Sequence, residues 1–173
     1  MAEIADRLAI ADLVARYCRA IDRVRPEQLF ELYVPGGIDH HAGFEGTVEE
    51  FVPWLSAVLP QVAGMLHVIG THNVDIAGDE AVAETYATAW HWSAAGDDPA
   101  ADYVSLVRYV DDLVRVDGRW RIRERWAVRE RAYSTAGALR EAPSAGPPAP
   151  SGSRGEDDPL IRLLDGLARP PSP

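Results

Sequence analysis

The sequence contains no lysine: all 17 basic residues are arginine. Schiff-base catalysis, covalent pyridoxal phosphate attachment and a Walker-type phosphate loop each need a lysine amine, so none of them is open to this chain. Cysteine is nearly absent as well. Cys18 stands alone, which excludes an intramolecular disulfide and a thiolate metal cluster within one chain. Positive charge is short: 27 acidic residues outnumber 17 basic ones, for a formal net charge of −10. Nucleic acids and anionic membranes are bound by clustered positive charge, so neither partner is expected. No apolar run reaches the roughly 18 residues of a membrane-spanning helix. The opening MAEIADRLAIADL is acidic and amphipathic, without the basic and apolar regions of a signal peptide, so the expected address is the cytoplasm. A G-x-S-x-G elbow, a GxGxxG loop, HExxH and His-x-His are all missing. Serine-hydrolase chemistry, a dinucleotide cofactor and a metal site therefore have no motif, and the reading is of no cofactor and no metal.

At 173 residues, with 47% hydrophobic and 25% charged residues, the chain suits one domain with a proper core. The composition changes near Glu141, beyond which lie eight of the 13 prolines. Residues 1–138 are read as the working domain and residues 139–158 as a Pro/Gly-rich flexible linker. Residues 159–173 are read as a short amphipathic helix and tail. In that last segment Asp158 can cap, Pro159 suits the first helical position, and Leu160, Ile161, Leu163, Leu164 and Leu167 form an apolar stripe.

The first half of the domain reads as helices. Ile10, Leu13, Val14, Tyr17, Cys18 and Ile21 recur at three- and four-residue spacing over residues 4–22. Pro26 opens a short helix through Leu29, Phe30, Leu32 and Tyr33, and a break follows at Pro35, Gly36 and Gly37. Thr47 and Glu50 form a capping-box pattern ahead of Phe51, Trp54, Leu55 and Val58, with Pro53 inside. The second half reads as four antiparallel strands, 65–76, 81–92, 103–116 and 119–131, with a hairpin turn at Asp117-Gly118. This is an α+β layout. A curved antiparallel sheet wraps around N-terminal helices and leaves a cone with an internal pocket, a natural site for a small hydrophobic molecule.

Asp22 follows the apolar face of the first helix. Its plain reading is a solvated carboxylate; if buried, it needs a partner such as a histidine. Five histidines are available: His40, His41, His67, His72 and His91. His67 and His72 stand five apart on one strand, so strict alternation points them to opposite faces unless a bulge intervenes. Cys18 reads as core. In the last strand Arg119, Arg121, Arg123, Arg125, Arg129 and Arg131 share one parity. Trp120, Ile122, Trp126 and Val128 share the other. A solvated face explains most of these arginines, but a bulge would be needed to turn one inward.

Three segments together resemble a known family: DRLAIADLVARYCRAID at 6–22, MLHVIGTHNVDIAGDEAVAETY at 65–86, and YVSLVRYVDDLVRVDGRWRIRER at 103–125. They are similar to the SnoaL-like branch of the nuclear transport factor 2-like superfamily. Its members include dehydratases, a dehydrochlorinase, ketosteroid isomerases, polyketide cyclases and non-catalytic subunits, so the fold leaves the activity open. The resemblance to the dehydratases and the dehydrochlorinase implies a pairing of Asp22 with His67, joined by Tyr17 and Arg125. Tyr33 resembles a pocket tyrosine. Pro35-Gly36 stands where the family usually has Pro-Asp, and the dehydrochlorinase lysine is missing.

The resemblance thus implies a cofactor-independent lyase or isomerase for a hydrophobic oxygenated ring, of polyketide or steroid type. His67 is the expected general base, Asp22 its orienting partner, Tyr17 a donor to the substrate oxygen, and Arg125 a counter-charge. Trp54, Trp90, Trp92 and Trp126 are candidate walls. Pairing of two copies through the sheet face is expected. The alternatives are a non-catalytic binding or assembly subunit of the same fold, or a polyketide cyclase.

Overall fold

A computed structural model describes residues 2–94, 98, 101–135, 154, 156 and 158–168. The chain divides into two compact units, Met1–Arg140 and Glu141–Pro173. The first begins with helix α1 (Ala2–Asp22) and a 3-10 turn (Pro26–Glu31). It continues through β1 (Tyr33–His41), β2 (Phe44–Thr47) and α2 (Val48–Val58), then β3 (Gly64–Ala77), β4 (Glu80–Trp92), β5 (Tyr103–Val116) and β6 (Arg119–Ser134). The second unit holds α3 (Pro159–Ala168), where the Asp158 carboxylate accepts the Leu160 N–H at 2.9 Å. Most of the segment read as a linker lies outside the described residues.

α1 forms where the apolar stripe predicts it, and Ile10, Leu13, Val14, Tyr17, Cys18 and Ile21 are all buried. The helix stops at Val24, which adopts a left-handed φ of 54° and lets the Arg25 N–H reach back to the Ala20 carbonyl at 2.8 Å. α2 opens on the Thr47–Glu50 capping box, with the Thr47 N–H donating to Glu50 at 2.9 Å. The helix runs on through Pro53.

The sheet has six strands in the order β2-β1-β6-β5-β4-β3. It is mixed rather than wholly antiparallel, because β1 runs parallel to β6. β1 also corrects the reading of residues 26–37. The helix opened by Pro26 ends at Glu31, and Tyr33 starts a strand that passes through Pro35, Gly36 and Gly37. Gly37 is held by close approach: an added Cβ would meet the Val34 and Ile122 carbonyl oxygens at 3.0 Å.

Among the register shifts of the sheet, two bulges reset the strand faces around the site. In β3 one extra residue lies between Ile69 and His72. His67 stands opposite Ala89 and His72 opposite Thr85, and Ala89 and Thr85 share one face of β4. His67 and His72 therefore share the inner face, against strict alternation. In β6, Leu113 pairs with Ile122 and Asp112 with Glu124, which leaves Arg123 as the extra residue. Before the bulge Trp120 and Ile122 point inward; after it Arg125 does, and Trp126 turns outward.

β4 alternates as read, but its inner face is the small one. Ala81, Ala83, Thr85, Ala87, Ala89 and His91 are buried, while Val82 and Tyr86 are exposed. Small side chains there leave room for a cavity, whose wall includes Ala89 and His91. At the edge of the core, Arg115 clamps Asp6 of α1 and lies 4.5 Å over the Trp120 ring, and the Trp120 indole N–H donates to Asp6 at 3.0 Å.

Candidate active site

The last turn of α1 faces β3 at the open end of the sheet. There the Asp22 carboxylate binds His67 twice. Its Oδ2 accepts the His67 backbone N–H at 3.1 Å, and its Oδ1 lies 2.7 Å from His67 Nδ1. The two side chains are 10% and 6% exposed. An acid at a helix C-terminus opposes the helix dipole, so a partner that donates to it offsets that cost. A carboxylate only accepts, so in the neutral imidazole the ring proton belongs on Nδ1 and the lone pair on Nε2.

His67 borders a cavity of about 290 Å³. That is near the lower end of small-molecule sites, which run from roughly 300 to 1,000 Å³. α1 contributes Tyr17 and Ile21 to its wall, and α2 contributes Trp54, Leu55 and Val58. The strands add His41, Met65, His91, Tyr109 and Arg129 among others.

Tyr17 is 1% exposed, and its hydroxyl has no hydrogen-bond partner among the described residues. Burial pushes its ionisation well above the usual tyrosine range, with the nearby Asp39 acting in the same direction. It therefore stays a donor. Arg125 packs behind it, fully buried, with the guanidinium 4.0 Å from the Tyr17 ring centre and 4.6 Å from that of Tyr109. Two charge-assisted bonds, 2.6 and 2.7 Å, join Arg125 to Asp111. Arg125 thus reaches the cluster and meets a carboxylate, but it does not line the cavity. It holds Tyr17 rather than facing a ligand.

Four other candidates lie elsewhere. Tyr33 is buried outside the cavity and donates its hydroxyl to Asp39 at 2.5 Å. Trp90 and Trp92 sit on the outer face of β4, whose inner face carries the small residues. Trp126 was turned outward by the Arg123 bulge and stacks on His40 at 5.2 Å. Of the four tryptophans, only Trp54 lines the cavity.

Sequence reasoning passed over His91 and His41. His91 shares the parity of the small residues of β4, which was the available signal. It stacks on Tyr103 at 4.1 Å, and burial, with His67 nearby, pushes its pKa down to about 4. It is a neutral imidazole at neutral pH. Cys18 is also settled: burial pushes its thiol up to about 12, so it is core and not a nucleophile. Among the described residues no group of three or more His, Cys, Asp or Glu is placed to hold a metal ion. No described helix is long and apolar enough to cross a membrane.

An α+β cone with an internal cavity and a buried acid–imidazole pair at its wall defines the class. The profile of the SnoaL-like domain matches residues 2–126, and the chain belongs to that family. A Mycobacterium tuberculosis relative, the uncharacterized protein Rv2910c, is 37% identical over 84 residues, which cover 47% of this chain and 57% of the relative. A Mycobacterium bovis protein, Mb2934c, matches to the same extent. The chain thus spans little more than half the length of these relatives. A scytalone dehydratase-like protein from Novosphingobium aromaticivorans has a TM-score of 0.69 at 21% identity, covering 85% of this chain and 97% of that one. The hexachlorocyclohexane dehydrochlorinase LinA-type3 of Novosphingobium barchaimii has a TM-score of 0.70 at 16% identity, covering 82% and 97%. At these identities the likeness is one of fold.

Proposed function

We propose that the protein is a cofactor-independent lyase or isomerase of the dehydratase type, acting on a small hydrophobic ring that bears oxygen. The observation that carries this reading is the 2.7 Å Asp22–His67 pair at the wall of a largely apolar cavity. His67 Nε2 takes a proton from a carbon next to a carbonyl. Asp22 holds the ring in the Nδ1–H tautomer and stabilises the imidazolium that forms. The Tyr17 hydroxyl donates to the substrate oxygen as negative charge develops there, and a buried donor is most effective in so dry a site. Arg125 is a positioning residue that fixes the Tyr17 ring. Trp54 is part of the wall that excludes water. The fold neighbours support an elimination, since a dehydratase and a dehydrochlorinase both remove a proton and a leaving group.

Two copies are inferred to pair through the outer face of the sheet. Leu66, Val68, Val82, Tyr86, Leu106 and Trp126 are exposed there, apolar side chains that a partner copy would cover.

The test uses 3-hydroxycyclohexanone in deuterated water, followed by NMR. The wild-type protein should exchange deuterium into the carbon between the carbonyl and the carbinol. His67→Gln should lose this by about 10²-fold or more. Exchange undiminished in that variant overturns the reading.

A further inference from the structure

The cavity has a second carboxylate–imidazole pair. Asp39 and His41 stand two apart on β1, on the same inner face, and Asp39 is in register with the buried Arg125. Asp39 is fully buried. Its Oδ2 accepts the Tyr33 hydroxyl, while its Oδ1 has no hydrogen-bond partner among the described residues. That oxygen lies 3.5 Å from Nδ1 of His41, an atom that also lacks a hydrogen bond. The two polar atoms are thus buried side by side, farther apart than the roughly 2.9 Å of an ordinary hydrogen bond. A buried polar atom is costly while its hydrogen bond is unmade, so a ligand that presses the ring toward Asp39 is favoured by closing the bond. The His41 ring is held by Phe51 and Trp54, with centroids 5.7 and 6.4 Å away. His40, its neighbour, points outward to Glu124 and takes no part.

β1 and β3 are separated in the sheet by β6, β5 and β4. Four strand spacings, roughly 19 Å along the sheet, lie between them. Both His41 and His67 nevertheless line the one cavity, so the curl of the sheet brings the two imidazoles to a common space.

We propose that Asp39–His41 is the general-acid pair of this site, and that the reaction is loss of water from a cyclic β-hydroxy carbonyl compound. The proposal rests on the reading of His67 as base. Moving a proton within a substrate needs one base; expelling hydroxide from the neighbouring carbon needs an acid as well. His67 removes the proton next to the carbonyl, and the C–H electron pair becomes the new C=C bond. The C–O bond of the β-hydroxyl breaks with its electrons on oxygen, which takes a proton from the His41 imidazolium and leaves as water. His67 ends with one proton more and His41 with one fewer, and exchange with solvent restores both. The Asp39 carboxylate stabilises the His41 cation before transfer and keeps Nδ1 protonated after it.

Two measurements on the full chain decide the matter. The first is the imidazole tautomer, read from long-range proton–nitrogen NMR spectra at a pH where the rings are neutral. His41 should carry its proton on Nδ1; a proton on Nε2 overturns the pair. The second uses 3-hydroxycyclohexanone and reads deuterium exchange and cyclohexenone formation together. His41→Gln should lose elimination by about 10²-fold or more, and its ratio of elimination to exchange should fall at least about tenfold below that of wild type. Elimination retained in His41→Gln overturns the acid role. Wild-type exchange without elimination overturns this inference and leaves the His67 base standing. Neither exchange nor elimination in the wild type overturns both.

Discussion

One carboxylate of Asp22 holds both the ring and the main chain of His67, through Nδ1 at 2.7 Å and the backbone N–H at 3.1 Å. This double grip ties the end of α1 to β3. It makes the tautomer of His67 a consequence of the fold, because the ring cannot turn without losing the acceptor.

Asp22→Asn removes the charge but little volume. The neutral amide no longer stabilises the imidazolium, and its NH₂ competes for Nδ1. Deuterium exchange into 3-hydroxycyclohexanone should fall by about 10²–10⁴-fold. Circular dichroism and chemical denaturation should show the variant folded. Exchange within threefold of wild type would sink the dyad.

His91 predicts an acid-side loss of stability. Its folded pKa is about 4, set by burial first and by His67 second, against about 6.5 in the unfolded chain. Above pH 6.5 both states leave it neutral and it adds no pH dependence. As pH falls from 6.5 to 4, the unfolded chain binds a proton that the fold refuses. About 3 kcal/mol of stability should be lost over that window. His91→Gln should flatten it, as read by urea denaturation at pH 7.5 and pH 4.5. Equal acid loss in variant and wild type counts against this assignment.

Arg125 and Asp111 are both fully buried and paired only as long as both remain. Arg125→Met should cost about 3–5 kcal/mol, because it leaves the Asp111 charge unmatched. The double variant Arg125→Met with Asp111→Leu should recover most of that loss, since removing both partners leaves neither charge of the pair unmatched. Denaturant midpoints of the four proteins measure the coupling. A double variant as unstable as the sum of the singles would show that the two do not act as a pair.

Charges placed on the outer face of the sheet should separate paired copies. Val68→Glu with Tyr86→Glu puts two carboxylates among exposed apolar side chains, at positions about half exposed. Sedimentation should show a dimer for the wild type and a monomer for this variant. A monomeric wild type ends the pairing proposal.

Deletion of residues 141–173 tests the division of the chain. The unit Met1–Arg140 contains α1, α2, all six strands and the cavity. It should unfold cooperatively by itself, within about 1–2 kcal/mol of the full chain. Insoluble or molten protein would show that the second unit is needed for the fold.

Local patterns were legible in the chain itself. The stripe from Ile10 to Ile21 marked α1, Thr47 and Glu50 marked the start of α2, and Asp117-Gly118 marked the β5–β6 turn. Each depends on residues a few positions apart. The pairing of Asp22 with His67 was legible only through family resemblance, since 45 residues separate them. Alternation in β4 was plain, yet it did not say which parity faces inward. Packing of the core decides that: the alanine parity is buried and the tryptophans lie on the outer face. The bulge at Arg123 turns Arg125 inward and Trp126 outward through a one-residue slip against β5, which has no local signature. β1 was hidden for the same reason. Its glycines and proline read as a break, and only pairing with β2 and, in parallel, with distant β6 makes it a strand. That pairing is also what places His41 at the cavity with Asp39 buried behind it, so the second imidazole pair belongs to the tertiary structure alone.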